Sequence, residues 1–312
     1  MCYSILIETS LKKLQHQFDA KIDTGYFLKL YEKRAEGEKN LNIPRGIDLH
    51  FLNHQGDDEK KCAHYIKEFD QALIKETETK ITEKTAVIED LRSQLEAKWY
   101  KTKQKKLDSS LRVKVRLEAK LNSLKQPIEH QNPEFCRIMQ YYYAPLVLRE
   151  NHQYIIRPHR YQVRSRYAVS EPERKLNLFN ARVETLTERK TWKPLYLHNH
   201  AALVYYGFYE WVEDPNTGLA REIYFRQKGG RSLWTPALYE IYQSSREEIS
   251  SFAVITQPPR AQVAAAGHDR SPILPEVKWI KPWLDTKNLN DAQAQNILNN
   301  KAEIDFEHAW VN

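Results

Sequence analysis

The second residue of the chain could perform an unusual reaction with aldehydes. Cys2 follows the initiator Met1, and a small side chain at this position permits removal of the methionine. Removal would expose an α-amine and a thiol on the same residue. The amine, with a pKa of about 7.7–8.0, can form a Schiff base near neutral pH, and the adjacent thiol can then close a thiazolidine ring. Taken alone, Cys2 is more often an ordinary N-terminal residue.

Three later segments carry groups suited to phosphate binding or proton transfer. NARVET supplies the amide of Asn180 and the guanidinium of Arg182, which can bind a phosphate through two parallel hydrogen bonds. GFYEW places Glu210 among three rings, where desolvation would raise the pKa of the carboxyl group toward acid–base use; an ion pair is the alternative. In GHDRSPIL, His268 is either a proton shuttle or a turn histidine with satisfied hydrogen bonds.

Length and composition limit the classes of protein that could present these groups. The 312 residues suit one enlarged domain or two, and 41% apolar residues are enough for a sizeable core. No window approaches about 18 consecutive apolar residues and no secretory signal is evident, so we expect a cytoplasmic protein. The three cysteines are too few and too scattered for a disulfide framework or a zinc site, and we expect no metal and no cofactor.

A change in composition between Asp57 and Lys125 marks a helical segment. It contains no glycine and no proline, and its apolar residues repeat at three-four spacing. Two stripes result: Ile88, Leu91, Leu95 and Trp99, then Leu107, Leu111, Leu117, Leu121 and Leu124. The pattern predicts two antiparallel helices forming a protruding arm over residues 57–126, with a single long helix as the alternative.

The positive charge is concentrated in two stretches. Residues 98–126 hold ten Lys or Arg against Asp108 and Glu118, a local charge of +8 in a chain of net charge +7. Residues 137–167 interleave six Arg with six Tyr. Since cations neutralise phosphates and rings stack on bases, both stretches suit a nucleic-acid strand. A solvated helix face is the alternative for residues 98–126.

The sequence before the helical segment predicts three short elements. Residues 1–56 indicate a strand after the second residue, a helix with Leu11, Leu14 and Phe18 at three-four spacing, and a strand near 47–53.

The sequence after the helical segment predicts mainly strands. Runs of Val, Ile, Tyr and Phe recur at 153–157, 160–169, 201–206, 222–227, 237–243 and 251–256. Because no helices alternate with them, we predict an α+β fold with an antiparallel, barrel-like β core and flanking helices. Residues 1–56 and 127–312 are expected to form one domain, which the helical arm of residues 57–126 interrupts.

Together these segments resemble the SRAP family (SOS-response-associated peptidase), whose members cross-link to abasic sites in single-stranded DNA. NARVET, GFYEW, FAVIT and HDR-x-P-IL follow one another in the family's order and approximate spacing. Cys2 matches the family's defining residue, and Ala144-Pro145 after a tyrosine run is similar to the family's Asn-x-Ala-Pro segment. The resemblance covers roughly residues 1–30 and 134–285.

The resemblance implies a mechanism for the matching residues. Cys2, after loss of Met1, would form a thiazolidine with the ring-opened aldehyde of an abasic deoxyribose. Asn180 would hold the sugar or the Cys2 amine. Glu210 would act as acid and base during sugar opening and Schiff-base formation, and His268 would assist ring opening from the other side. No metal or cofactor is required.

The resemblance also implies a DNA-binding surface. Arg182 would bind a backbone phosphate beside the lesion. Thr256 would line the same pocket, and Pro145 would belong to the DNA-binding surface.

Two departures from the family pattern affect the DNA contact. Family members commonly have Gly-Arg after the cysteine, whereas this chain has Tyr-Ser, so Arg160, Arg164 or Arg166 would take the role of the missing arginine. Tyrosines, the second of them Tyr167, stand where the family has two tryptophans, which puts wedging into DNA or a preference for duplex junctions in doubt.

These features predict a protein that shields abasic sites in single-stranded DNA during the DNA damage response, associated with the nucleoid in a prokaryote. One alternative is a catalytically inactive DNA-binding scaffold that recruits repair or replication proteins through residues 57–126. Another is an N-terminal-cysteine hydrolase, as the family's peptidase label suggests, and lyase activity also fits. The combination of Cys2, Asn180, Glu210 and His268 favours chemistry over the scaffold.

Overall fold

The computed structural model describes residues 3–38, 41–54, 56–167, 175–245 and 247–311. The helices in these ranges are α1 (Leu11–Phe18), α2 (Thr24–Ala35), α3 (Arg45–Leu52), α4 (Asp57–Ala97), α5 (Lys101–Lys125), α6 (Pro133–Cys136), α7 (Ala261–Ala265), α8 (Ile280–Leu284) and α9 (Asp291–Asn299). The strands are β1 (Ser4–Ile7), β2 (Lys21–Ile22), β3 (Arg137–Ile138), β4 (Tyr143–Glu150), β5 (Gln153–Tyr161), β6 (Asn180–Arg182), β7 (His200–Glu213), β8 (Ala220–Gln227), β9 (Leu233–Gln243), β10 (Glu248–Gln257), β11 (Ser271–Pro272) and β12 (Phe306–Trp310).

Five strands form a closed barrel in the order β4, β5, β10, β9 and β7. Each neighbouring pair is antiparallel except β5 with β10, which is parallel. Rings and branched side chains such as Tyr161, Phe208 and Val254 fill the hydrophobic core. The predicted α+β fold with a barrel-like β core is therefore confirmed, with further strands attached to the barrel.

The segment that precedes the arm is part of this core. β1 lies between β3 and β7 in the sheet, and Leu11, Leu14 and Phe18 of α1 are buried as the spacing predicts. The predicted strand near 47–53 is wrong, because these residues belong to α3. Its buried Ile47 and Phe51 are four residues apart, which places them on one helix face, and short apolar runs of this kind do not distinguish strand from helix.

The predicted strand at 160–169 is also wrong beyond its second residue. β5 ends at Tyr161, and Gln162 has a φ of 96°, a left-handed conformation that a continuing strand does not adopt. The Gln162 backbone N–H instead donates to Phe252 O at 2.9 Å, which fixes the departing chain against β10. Residues 168 and 169 lie outside the described residues.

The segment 57–126 forms two antiparallel helices, α4 and α5, as predicted. Ile88, Leu91 and Leu107 form an apolar cluster between them, and Lys125 Nζ lies 2.8 Å from Glu78 Oε1 nearer the body of the protein. No helix of the described chain has an apolar stretch long enough to cross a bilayer.

The first turns of α4 belong to the main hydrophobic core. Cys62 and Ile66 are buried in it, and Arg45 of α3 connects both helices at this point. Its guanidinium donates to Asp70 Oδ2 at 3.1 Å and to Ser123 O at 2.9 Å. The arm is therefore attached through contacts with α3 as well as through its chain ends.

Candidate functional site

A bulge in β7 sets the direction of the Glu210 side chain. Ile7 of β1 pairs with Tyr205, and Ile5, two residues earlier, pairs with Phe208. Three positions on β7 thus oppose two on β1, which is one extra residue. Because side chains alternate along a strand, the extra residue brings Phe208 and Glu210 onto the face that Tyr205 occupies.

Gly207 permits this irregular pairing. A Cβ atom at this position would lie 2.4 Å from Phe225 O and 2.5 Å from the Tyr224 ring. Any larger residue would therefore push β7 away from β8. The glycine of GFYEW is required by close strand packing next to Glu210.

Three other predicted site residues share the face that carries Glu210. The register of β7 with β9, and of β9 with β10, puts Val254 on that face. Val254 pairs with Asn180, and Thr256 pairs with Arg182. Since β7 and β10 are each antiparallel to β9, they run in the same direction, and the site therefore forms at one end of the barrel.

His268 and Glu210 form a buried pair. His268 Nε2 lies 3.1 Å from Glu210 Oε2, and their side chains are 11% and 3% exposed. His268 follows Gly267, whose φ of 91° turns the chain after α7. The sequence analysis left an ion pair and an acid–base role as alternatives for Glu210. The structure has an ion-pair contact between Glu210 and His268, and it is compatible with both alternatives because a histidine can itself carry the proton.

The other nitrogen of His268 has a partner in either protonation state. Nδ1 lies 3.2 Å from the Arg270 backbone N–H, which can donate to a neutral ring. It also lies 2.9 Å from Arg270 O, to which a protonated ring can donate. A histidine with both options can gain and lose a proton without leaving a buried nitrogen unsatisfied.

An ion pair that the sequence analysis assigned no role holds this histidine segment in place. Arg270 donates to both carboxylate oxygens of Glu184, at 2.7 and 3.0 Å, and to Thr256 O at 2.8 Å. The Arg270 hydrogen bonds lower the pKa of Glu184. The NARVET and HDR segments are thus connected directly by Glu184 of the first and Arg270 of the second. Both residues are visible in the sequence, but their pairing is evident only from the fold.

Asn180 is buried without a partner in the described part of the chain. It is 6% exposed, and neither Oδ1 nor Nδ2 makes a hydrogen bond there. Burying an amide in this way costs free energy unless a further group completes its hydrogen bonds. The side chain is therefore available to bind a ligand or another segment.

Cys2 lies outside the described residues, which begin with Tyr3. Tyr3 is 38% exposed, and its ring contacts that of Trp211 edge-on, with centroids 6.4 Å apart. Ser4 pairs with Tyr209, the neighbour of Glu210. The start of β1 is thus adjacent to the strand that carries the buried carboxylate.

Arg137, which sequence reasoning did not single out, lies beside the start of β1 on the face opposite Glu210. Its Nε donates to Ser4 Oγ at 2.8 Å, and its guanidinium lies 3.7 Å from the centroid of the Tyr209 ring. It also forms an ion pair with Glu222. Because Tyr209 and Glu210 are consecutive in β7, their side chains lie on opposite faces, and Arg137 therefore supports the start of β1 from the face opposite Glu210.

Four predicted DNA-binding residues are not brought to the Glu210 face. Arg160 pairs with Ser251 and with Tyr143. Because side chains alternate along a strand, Arg160, Tyr143 and Pro145 lie on the face of the barrel sheet opposite to Glu210. Arg164 contacts Glu247 at 3.4 Å and Arg166 forms an ion pair with Glu240.

The remaining DNA-binding predictions differ in exposure. Tyr167 follows Arg166 and is 57% exposed, whereas Arg160 and Pro145 are buried. Arg182 is exposed and Thr256 is buried. Of the cations proposed from the sequence, Arg182 is the exposed one on the Glu210 face.

The described residues contain no group of three or more His, Cys, Asp or Glu side chains arranged to hold a metal ion.

The chain matches the sequence profile of the SOS response associated peptidase (SRAP) family over residues 98–312, and it belongs to that family. The matched range includes α5 and every site residue from Asn180 to His268, and it begins after β1. No curated protein matches the chain.

Three solved structures are similar to part of this chain. A protein from Bacteroides thetaiotaomicron has 15% identity over 57% of this chain and 78% of its own, with a TM-score of 0.46. A protein from Bordetella bronchiseptica has 17% identity over 57% and 87%, with a TM-score of 0.47. A phage-related protein from the same organism has 18% identity over 57% and 81%, with a TM-score of 0.43.

Proposed function

We propose that this protein captures abasic sites in single-stranded DNA by forming a covalent thiazolidine through Cys2, exposed by loss of Met1. The observation that carries the proposal is the register of β1. Ser4 pairs with Tyr209, so the first described residues lie beside the strand that bears Glu210, and we expect an N-terminal nucleophile to lie near the buried acid–base pair. Membership of a family linked by its description to the SOS response supports a role on damaged DNA.

The reaction needs no outside oxidant or reductant. The Cys2 amine attacks the aldehyde carbon of the ring-opened deoxyribose, and the carbinolamine expels the former carbonyl oxygen as water, which leaves a Schiff base. The thiol sulfur then bonds to the same carbon, and its proton passes to the nitrogen. One C–N and one C–S bond form, and one water molecule leaves.

The Glu210–His268 pair suits the proton transfers in this sequence. Opening the closed sugar requires a proton on the ring oxygen, and expelling water requires a proton on the departing hydroxyl. His268 keeps a hydrogen-bond partner in both protonation states, and Glu210 lies 3.1 Å from its Nε2. We assign the proton transfers to these two residues.

Asn180 and Arg182 supply binding rather than proton transfer in this proposal. The buried amide of Asn180 has hydrogen-bonding capacity that no described residue uses, and the sugar hydroxyl or the Cys2 amine would use it. Arg182 is exposed on the same face and would bind a flanking phosphate through its guanidinium. The exposed rings of Tyr3 and Trp211 are suited to stack on neighbouring bases.

The test is a cross-linking assay with a single-stranded oligonucleotide that contains one abasic site. The wild-type protein should give a product that survives a denaturing gel, and Cys2→Ala should abolish it. Cys136→Ser is the matched control, because that thiol is fully buried beside Thr9 and should not affect the yield. Equal cross-linking by Cys2→Ala would overturn the proposal, and release of a peptide without DNA would favour the hydrolase.

A further inference from the structure

The arm extends well beyond the contacts that attach it. The ion pair of Lys125 with Glu78 marks the last described polar contact between α4 and the end of α5. From Glu78 to Ala97, α4 continues for about 29 Å at the usual helical rise. Lys98 and Tyr100 then have extended backbone conformations that turn the chain into α5.

The arm tip, residues 98–106, exposes two large rings. Trp99 is 63% exposed and Tyr100 is 42% exposed. Trp99 continues the apolar spacing of Ile88 and Leu91, but those two residues are buried between the helices and Trp99 is not. Tyr100 gathers two cations, since Lys98 Nζ and Lys103 Nζ lie 5.3 and 5.2 Å from its ring centroid.

The charge of the arm is divided between its helices. Residues 57–97 carry 11 acidic and 7 basic side chains, a net charge of −4, whereas residues 98–126 carry +8. The arm tip contains five lysines and no acidic residue: Lys98, Lys101, Lys103, Lys105 and Lys106. An anionic partner would therefore be attracted to the tip and to α5, and not to α4.

We propose that the arm tip is a second contact for single-stranded nucleic acid, in which Trp99 stacks on a base and the surrounding lysines neutralise phosphates. This proposal rests on the proposed function for one point only, that the nucleic acid is single-stranded DNA. Tyr100 acts as the support that holds Lys98 and Lys103 beside the indole.

The area of the exposed rings favours a strand over a protein partner. A fully buried aromatic side chain covers about 150–250 Å². Because Trp99 and Tyr100 are 63% and 42% exposed, the two rings provide at most about a third of the roughly 800 Å² that each side of a standard protein interface buries. Stacking on a strand needs only one ring for each base. The lysines match the regular spacing of phosphates, whereas a protein would have to present an acidic patch of its own.

The experiment measures binding of an undamaged single-stranded oligonucleotide at several salt concentrations. Trp99→Ala should weaken binding about 5- to 150-fold, as expected for one lost stacking contact, and Trp99→Phe should restore most of it. Replacing Lys98, Lys101 and Lys103 together with Ala should reduce the salt slope by about 2, at about 0.7 for each phosphate contact.

Two control variants remove similar groups from other surfaces. Val277→Ala removes an apolar side chain that is 72% exposed, and Lys60→Ala removes an exposed lysine from the acidic helix α4. Neither should change affinity or salt slope appreciably. All the replaced side chains are at the surface, so the variants should keep the wild-type melting temperature.

The outcomes separate this proposal from the proposed function. Unchanged affinity and salt slope in the Trp99 and lysine variants would overturn the contact at the tip and leave a protein partner as the use of the arm. An equal loss by Trp99→Ala on duplex and on single strands would overturn base stacking. Tip-dependent binding by a protein that forms no cross-link would sustain this inference while the proposed function failed.

Discussion

Glu210 and His268 are each held in place by a different part of the chain. Glu210 is fixed by the register of β7 with β1 and β8. His268 is fixed by the backbone of Arg270, whose side chain is in turn bound to Glu184 and Thr256. Such support keeps an acid–base pair in one geometry before a substrate arrives.

Replacing Glu210 tests its part in proton transfer. Glu210→Gln keeps the size of the side chain and its ability to accept a hydrogen bond, but it cannot take up a proton. We expect the rate of cross-link formation or reversal to fall by about 100-fold, the low end for general acid–base catalysis. Glu213→Gln, at the end of the same strand, is the control. An unchanged time course on denaturing gels would remove Glu210 from the mechanism.

The Glu184–Arg270 pair should make stability depend on pH. Arg270 lowers the pKa of Glu184 from its ordinary value of 4.5, so the folded state favours the ionised carboxylate. This contribution is present at neutral pH and is lost as the pH falls below about 4.5 through the lowered pKa. Glu184→Gln should cost about 1 kcal/mol of unfolding free energy at pH 7.

Chemical denaturation at pH 7 and near pH 3 measures this effect. The difference between wild type and Glu184→Gln should shrink at the lower pH, and Glu188→Gln, an exposed glutamate nearby, should show neither effect. A difference of the same size at both pH values would mean that the pair is not an ionic contact in solution.

The sequence predicted the candidate acid–base and amide residues, but it did not predict the residues that hold them in place. Asn180, Glu210 and His268 could be named because their types suit the chemistry, and the structure joins Glu210 to His268. Arg160, Arg164 and Arg166 were named because an arginine was missing elsewhere, but β-strand alternation and ion pairs place them away from the Glu210 face. Strand register depends on pairing between distant segments, so local sequence could not show it.

At the scale of the element, the bulge in β7 is the feature on which the site depends. Without the extra residue, the Glu210 side chain would lie on the opposite face of the barrel sheet to Asn180 and Thr256. Gly207 allows the strands to approach at this point. A short irregularity in one strand thus decides whether three distant segments can act together.

Gly207→Ala should therefore disturb both stability and activity. The added Cβ would lie 2.4 Å from a backbone oxygen of β8, and relieving the clash should cost about 1–3 kcal/mol of unfolding free energy. Cross-linking should fall as well, because Glu210 moves with β7. Gly25→Ala is the control, since its nearest contact would be 3.8 Å away. Equal melting temperatures of Gly207→Ala and wild type would show that the strands are not closely packed there.

The elements differ in how well their sequences predicted them. The arm was predicted as two helices because its apolar spacing is sustained over many turns. The strand predicted near 47–53 is wrong because so short a segment cannot distinguish the two periodicities, and packing against neighbouring helices favours α3 there. Strand pairing, including the parallel alignment of β5 with β10, could not be read from local pattern at all.

For the whole molecule, we propose different roles for the barrel and the arm. The barrel end provides a buried acid–base pair beside the start of β1. The arm carries a charge of +8 on residues 98–126 and exposes two rings at its tip. A contact path joins the two, since Arg45 binds α5 and lies over the Phe135 ring, and Arg137, two residues on, binds Ser4.

The mass of the cross-linked product shows whether a thiazolidine forms at Cys2. The protein is incubated with an oligonucleotide containing one abasic site, digested with a protease, and the modified peptide is sequenced by mass spectrometry. We expect a product equal to the protein without Met1 plus the oligonucleotide minus one water, with the modification on Cys2. A product that retains Met1, or a modification on any residue other than Cys2, would contradict attachment through the Cys2 amine and thiol.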